Sequence, residues 1–124
     1  MPEAAVLVID DEAAMLRFLR NALSGQPYTL VEAAAGREGL VKVASHNPDL
    51  VLLDLGLPSM SGIEVLKEIR SFDVKAKVIV VSGYGDSESV SSAIRYGAWD
   101  FVEKSVELDE LLKKIRAALQ IVQR

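Results

Sequence analysis

Cysteine is absent from this chain of 124 residues. Its absence excludes disulfide frameworks, zinc thiolate sites and cysteine nucleophiles. It also suits a reducing compartment, so we expect a cytoplasmic protein. No apolar run approaches the length of a membrane-spanning helix, and the amino terminus lacks the basic segment of a signal peptide. We therefore expect no association with a membrane.

Positive charge is also scarce. The chain has 14 Lys and Arg residues against 18 Asp and Glu, which gives a net charge of −4, and the basic residues are scattered along the sequence. Proteins that bind nucleic acid concentrate basic residues on one surface. We therefore expect no direct binding of nucleic acid by this chain alone.

The chain does have enough apolar sequence for a core. Hydrophobic residues make up 50% and charged residues 26% of the sequence, as in soluble globular domains. A chain of this length fits one domain whose core needs no covalent staple. We expect a single domain that spans residues 1–124.

Short apolar segments alternate with segments of helical periodicity. Ala4–Ile9, Leu50–Leu53 and residues 78–81 are rich in Val and Ile and too short for buried helices. This pattern is typical of strands in a parallel sheet that is covered on both faces. Tyr28–Ala33 and residues 99–103 are less apolar and are two further candidates for strands, nearer the edges of the sheet.

Five segments between and after these strands have apolar residues at helical spacing. The positions predicted to face the core are Met15, Phe18, Leu19, Ala22 and Leu23; Leu40, Val43 and Ala44; Ile63, Leu66 and Ile69; Val90, Ala93 and Ile94; and Leu108, Leu111, Leu112, Ile115, Leu119 and Val122. Gly25 with Pro27, Pro48, and Gly97 indicate where the first, second and fourth helices end. Strand and helix thus alternate five times. The sequence predicts an α/β fold of three layers, with helices on both faces of a five-stranded parallel sheet.

Polar residues follow four of the predicted strands. Asp10 and Asp11 follow the first strand, Asp54 the third, Ser82 the fourth and Lys104 the fifth. Since the carboxyl ends of parallel strands line one crevice, we expect these side chains to meet. Each has a plainer interpretation when taken alone. The first two acids could cap the following helix, and Asp54 could form a structural ion pair with Lys104.

Three neighbouring carboxylates repel one another unless positive charge joins them. Magnesium suits a site made only of oxygen ligands, with Mn²⁺ as an alternative. A metal ion, an ammonium and a hydroxyl around a carboxylate are the components that phosphoryl transfer requires. A carboxylate can itself be the nucleophile and form an aspartyl phosphate.

The chain resembles the receiver domains of two-component signalling in four stretches. These stretches are VLVIDDE, VLLDLGLPSMSGIEVLKEIR, VIVVSGYG and YGAWDFVEK. The resemblance implies a flavodoxin-like sheet with the strand order 2-1-3-4-5. It also implies a signalling switch that catalyses only its own phosphorylation and dephosphorylation. A sensor histidine kinase or a phosphotransfer protein would donate the phosphoryl group.

The resemblance assigns a role to each site residue. Asp54 would be the phosphoacceptor. Asp10, Asp11, Asp54 and the backbone carbonyl of Gly56 would hold the metal ion, with Asp10 acting mostly through a bound water. Ser82 and Lys104 would bind the phosphoryl group.

Ser82 and Phe101 would also form a switch. Movement of the Ser82 hydroxyl toward the phosphoryl group would let the Phe101 ring turn inward, although ordinary core packing is the plainer interpretation of Phe101. The switch would alter the surface made by the fourth helix, fifth strand and fifth helix. An output domain, a partner or a second copy of the chain would bind there.

One position departs from the family pattern. Receiver domains usually have a proline after the lysine, joined by a cis bond, whereas Ser105 follows Lys104 here. A cis bond before any other residue costs about 3–4 kcal/mol, so we expect a trans bond at this junction.

Two other functions fit parts of the pattern. An aspartate-nucleophile phosphatase of related fold would place its second acid two residues after the first, whereas Asp10 and Asp11 are adjacent and Ala13 follows Glu12. A receiver-like scaffold that is never phosphorylated would not need the complete set of acids, hydroxyl and lysine. Both remain alternatives that phosphorylation and turnover assays distinguish.

Overall fold

The strands form one parallel sheet. The computed structural model describes residues 3–72, 75–83 and 87–122. Its strands are β1 (Ala4–Ile9), β2 (Tyr28–Ala33), β3 (Leu50–Leu53), β4 (Lys77–Ser82) and β5 (Asp100–Glu103). Neighbouring strands follow the order β2-β1-β3-β4-β5, and each pair is parallel. The predicted sheet and its strand order are confirmed.

Helices separate the strands and one follows the last. They are α1 (Ala13–Leu23), α2 (Gly36–His46), α3 (Gly62–Ser71), α4 (Ser87–Arg95) and α5 (Leu108–Val122). Gly25 and Gly97, which follow α1 and α4, have φ angles of 80° and 100°, a conformation that only glycine adopts without strain. In the described part of the chain, no helix combines the length and the apolar composition needed to cross a bilayer.

The sheet separates two apolar cores. Alternate residues of β1 and β3 point to opposite faces, as the two-residue period of a strand requires. Val8 and Leu52 face one core with α1 and α5, and Ile9 and Leu53 face the other with α2, α3 and α4. The central strands are buried on both sides, which explains why their sequences are apolar without alternation.

Some details differ from the prediction. Strand β4 extends one residue further at each end than residues 78–81, and β5 begins at Asp100. The side chains of Ala44, Ile94 and Leu108 were predicted to face the core but are exposed, Ile94 by 51% and Leu108 by 41%. Helical spacing predicts the direction of an apolar face, whereas the neighbouring elements decide how wide the covered face is. The side chain of Val122 lies outside the described residues.

Candidate functional site

The carboxyl ends of four strands deliver polar residues to one edge of the sheet. Asp10, Asp54 and Lys104 directly follow β1, β3 and β5, and Ser82 is the last residue of β4. The Asp54 N–H donates to the Ile9 carbonyl at 3.0 Å, and the Lys104 N–H donates to the Ser82 carbonyl at 2.9 Å. Because these hydrogen bonds continue the strand pairing by one residue, the sheet fixes the backbone of the site.

Three carboxylates meet there. Asp10, Asp11 and Asp54 each place one oxygen within 4.8 Å of an oxygen of the other two. Asp10 and Asp54 are only 2% and 5% exposed, whereas Asp11 is exposed. Carboxylates at such distances repel each other, and oxygen is the ligand that Mg²⁺ and Ca²⁺ prefer. The arrangement can therefore hold a divalent cation.

Lys104 supplies positive charge at the same place. Its Nζ lies 3.1 Å from Asp54 Oδ2 and 3.2 Å from Asp10 Oδ2, and it also bonds the Glu12 carboxylate. Burial lowers the pKa of Lys104, but hydrogen bonds to Glu12 and Asp54 and the nearby acidic charges outweigh burial and raise the pKa above its usual value. The amine is therefore an ammonium throughout the neutral range.

Burial also changes the pKa of the Asp10 carboxyl. Removal from water raises the pKa of the Asp10 carboxyl above its ordinary value, and the charge of Asp54 adds to that effect. The Glu12 N–H, which donates to Asp10 Oδ1 at 2.8 Å, and Lys104 act in the opposite direction. The raised direction prevails because burial is the largest of these effects.

An open cleft gives access to the cluster. Its volume is about 300 Å³, and its lining consists of Asp11, Glu12, Asp54, Gly56, Ser82, Gly83 and Lys104. The N–H of Gly56 donates to Asp54 Oδ1 at 3.0 Å, so the loop after β3 folds back over the acid. Ser82 is buried and lines the same cleft as Asp54. The structure thus brings all the predicted ligand and phosphoryl-binding residues to one place.

Gly62 packs against the backbone of Asp54 and Leu55. It begins α3, and its N–H donates to the Leu55 carbonyl at 3.1 Å. A Cβ at this position would lie 2.4 Å from Leu55 Cα and 2.5 Å from the Asp54 carbonyl oxygen, both backbone atoms. Helix α3 therefore approaches the strand end as closely as only glycine permits.

Phe101 lies outside the cleft. It is on β5, opposite Val80 of β4, and its half-buried ring packs on the core under α2, α3 and α4. It is three residues from Lys104 and one strand away from Ser82. This packing agrees with the plainer interpretation of Phe101 and leaves its role in a switch as a prediction.

The sequence did not identify Glu12 as part of the site. Its carboxylate bonds Lys104, from which it is separated by 92 residues, and it lines the cleft. The signal in the sequence was a third acid directly after Asp10 and Asp11. Position alone does not tell which distant residue such an acid contacts.

The remaining expectations concern the cap of α1, the ion pair of Asp54 and the peptide bond after Lys104. The residue that precedes α1 is Glu12, whose side chain makes no capping hydrogen bond, and Asp10 accepts the Glu12 N–H instead. Neither Asp10 nor Asp11 is the N-cap residue of α1, so the interpretation of these acids as caps was wrong, whereas the ion pair of Asp54 with Lys104 is present. The described residues contain no cis peptide bond, so the predicted trans bond between Lys104 and Ser105 is confirmed.

The fold and the site together define a flavodoxin-like α/β protein with an acidic cluster at the carboxyl ends of its strands. The family model described as "Response regulator receiver domain" matches residues 6–116. The chain therefore belongs to the receiver domains of two-component response regulators. Such domains act in signalling rather than in substrate turnover.

Known proteins agree with this assignment. The chain is 46% identical over 115 residues to the transcriptional regulatory protein KdpE of Mycobacterium tuberculosis, a match that covers 93% of this chain and 50% of that protein. The chain thus spans about half the length of this curated relative.

Two solved structures are also similar. A CheY-like response regulator receiver domain protein from Methanospirillum hungatei matches with a TM-score of 0.90 and 31% identity, over 95% of this chain and 94% of that one. CheY in the CheX–CheY–BeF3–Mg²⁺ complex from Borrelia burgdorferi matches with a TM-score of 0.87 and 29% identity, over 94% and 89%.

Proposed function

We propose that the chain is a phosphorylation-dependent switch that accepts a phosphoryl group on Asp54 in the presence of Mg²⁺. The observation that carries the proposal is the convergence of three carboxylates within 4.8 Å of one another, with an ammonium 3.1 Å from Asp54. A structural ion pair needs only Asp54 and Lys104. Such a pair does not explain why Asp10 and Asp11 lie beside Asp54 or why the cleft is open. Both features fit a site that binds a metal cation and a phosphoryl group.

The donor set fits a magnesium ion. Asp10, Asp11, Asp54 and the backbone carbonyl of Gly56 would hold it, with Mn²⁺ as an alternative. When bound, the ion supplies positive charge for the oxygens of an incoming phosphoryl group. Together with Lys104, its charge would balance the three carboxylates.

Asp54 would be the acid that reacts. A carboxylate oxygen of Asp54 would bond phosphorus while the bond from phosphorus to the donor nitrogen of a phosphohistidine breaks, and the electron pair stays with the imidazole. Lys104, already beside Asp54, would bond an oxygen of the transferred group. The Ser82 hydroxyl, buried at the end of the neighbouring strand, would donate to another.

The added charge would drive the switch. A phosphoryl group brings about −1.5 to −2 charges and strong acceptor oxygens into the cleft. Ser82 and Phe101 lie on adjacent strands, so displacement of the hydroxyl would free space for the half-buried ring. The result would be a changed surface along α4, β5 and α5, which an output domain, a partner or a second copy of the chain would bind.

The partners follow from the same proposal. A sensor histidine kinase or a phosphotransfer protein would donate the phosphoryl group. KdpE, half of which matches this chain, is named as a transcriptional regulator, so an output in transcription is the natural extension. We assign the whole chain, residues 1–124, to the receiver domain, because α5 continues beyond residue 116 to Val122.

Acetyl phosphate with Mg²⁺ and intact-mass spectrometry tests the proposal. The wild-type protein should gain the mass of one phosphoryl group, and Asp54→Asn should gain none because the amide is not a nucleophile. Removal of divalent cations with EDTA should abolish the gain. Asp109→Asn, a change of an exposed acid on α5, is the matched control and should react as the wild type does.

Two results would contradict the proposal. A wild-type protein that gains no mass would favour the scaffold function, and an undiminished gain in Asp54→Asn would place the phosphoryl group elsewhere. Beryllofluoride with Mg²⁺, which a similar CheY holds in a solved complex, provides a stable mimic for spectra of the Phe101 ring. An unchanged ring environment after its addition would remove Phe101 from the switch.

A further inference from the structure

Lys104 has more carboxylate partners than a simple ion pair with the phosphoacceptor requires. Its Nζ bonds Glu12 and lies 3.1 Å from Asp54 and 3.2 Å from Asp10. An ammonium has three N–H donors, so these three partners can use all of them. The position of the ammonium therefore depends on how strongly each of the three carboxylates attracts it.

Two of the partners belong to the acidic cluster. Asp10 and Asp54 are the carboxylates that, with Asp11, would bind a divalent cation. The Lys104 ammonium occupies oxygens of those acids and repels any cation that approaches them. Lys104 is therefore a competitor of the metal ion unless another group holds its charge.

Glu12 is the partner that lies outside the cluster. Its side chain is 59% exposed, whereas those of Asp10 and Asp54 are 3% and 5% exposed. Its N–H donates to Asp10 Oδ1, which fixes the Glu12 backbone against the site. Glu12 can thus keep its bond to Lys104 when the two buried acids turn to a cation.

We infer that Glu12 is a positioning residue whose carboxylate draws Lys104 toward the rim, so that Asp10 and Asp54 can bind a divalent cation while Lys104 stays beside Asp54. The inference rests on the proposed function and concerns how the same site accommodates an ammonium and a metal ion together. Glu12 acts through Lys104 and does not itself bind the cation.

Magnesium affinity measures this role without any phosphorylation. Mg²⁺ alone is titrated into the full chain, and the shift of the Gly56 amide signal in ¹H–¹⁵N spectra gives the Kd. Glu12→Gln should weaken Mg²⁺ binding by about two- to fivefold, the range expected for loss of one exposed ion pair. Glu103→Gln removes the same charge from the exposed residue next to Lys104, and its Kd should stay within about 1.5-fold of the wild-type value.

A double-mutant cycle separates positioning from simple loss of charge. In a Lys104→Met background no ammonium competes for Asp10 and Asp54, so Glu12→Gln should change the Mg²⁺ affinity no more than Glu103→Gln does. An effect of full size in that background would overturn the inference, because Glu12 would then act directly on the ion. Equal Kd values for Glu12→Gln and wild type would also overturn it.

The outcomes distinguish this inference from the function on which it rests. A wild-type protein that binds no Mg²⁺ contradicts the proposed function, whereas wild-type binding with no effect of Glu12→Gln contradicts the inference alone. Urea unfolding of each variant checks that the fold is intact. Glu12→Ala is the second variant, and the same weakening is expected because the position is exposed.

Discussion

Lys104 Nζ lies 3.1 Å from Asp54 Oδ2, although 50 residues separate the two in the sequence. Both residues directly follow strands, and the sheet fixes the backbone of each by one hydrogen bond to the end of a neighbouring strand. The pair is therefore set by the sheet rather than by flexible loops. Its ammonium also contacts Asp10, so the two buried acids share one cation.

Loss of this ammonium should destabilise the protein. In Lys104→Met, Asp10 and Asp54 remain buried with no positive partner, and we expect the free energy of unfolding at neutral pH to fall by about 3 kcal/mol without divalent cations. Urea denaturation in EDTA measures the loss. Lys113→Met, at an exposed position on α5, should change it by less than about 0.5 kcal/mol. Equal stability of the two variants would show that the acids do not need Lys104.

Magnesium should stabilise the folded protein through the acidic cluster. Binding to the folded state alone raises the free energy of unfolding by about 2.7 kcal/mol when the ion is at 100 times its Kd. Asp11→Asn removes the exposed member of the cluster, so most of this gain should disappear. Thermal unfolding with MgCl2, against NaCl at equal ionic strength, measures the effect. A gain that survives in Asp11→Asn would locate the ion elsewhere.

Stability should depend on pH through Asp10. Because burial raises the pKa of this carboxyl above 3.8, the folded protein holds the Asp10 proton more tightly than the unfolded chain does. The contribution of Asp10 to stability is therefore greatest at low pH and falls as the pH rises from about 3.8 through the raised pKa.

Asp10→Asn removes this dependence. In EDTA, the free energy of unfolding of Asp10→Asn minus that of the wild type should grow across the same pH interval and then level off. The charges that face Asp10, those of Asp54 and Lys104, are present in both proteins. A difference that stays flat with pH would show that Asp10 is not perturbed.

A methyl group at position 62 should disturb the site. In Gly62→Ala the new Cβ would meet two backbone atoms at 2.4 and 2.5 Å, so α3 or the strand end must shift, and we expect a loss of about 2–3 kcal/mol. Gly83→Ala is the control for stability, because its Cβ would meet nothing within 4 Å. Urea unfolding compares them. Similar losses in both variants would mean that the close approach of α3 is not required.

The sequence predicted the layers and the meeting of the polar residues for identifiable reasons. The apolar segments Ala4–Ile9 and Leu50–Leu53 were short enough to be recognised as buried strands, and their ends placed Asp10 and Asp54 together. The order of the strands came from the family resemblance, because periodicity does not tell which strands are neighbours. Glu12 was missed because its partner is 92 residues away.

The close approach of Gly62 to the Asp54 carbonyl also limits how the end of β3 can move when the charge at Asp54 changes. Helix α3 has no free space into which the Asp54 strand end could retreat, since the two backbones already touch. A displacement at Asp54 would therefore be taken up by the other neighbours of the strand end, such as β1 and β4, which pair with β3. Gly62, because it has no side chain, would thus make α3 a rigid boundary for movement at Asp54.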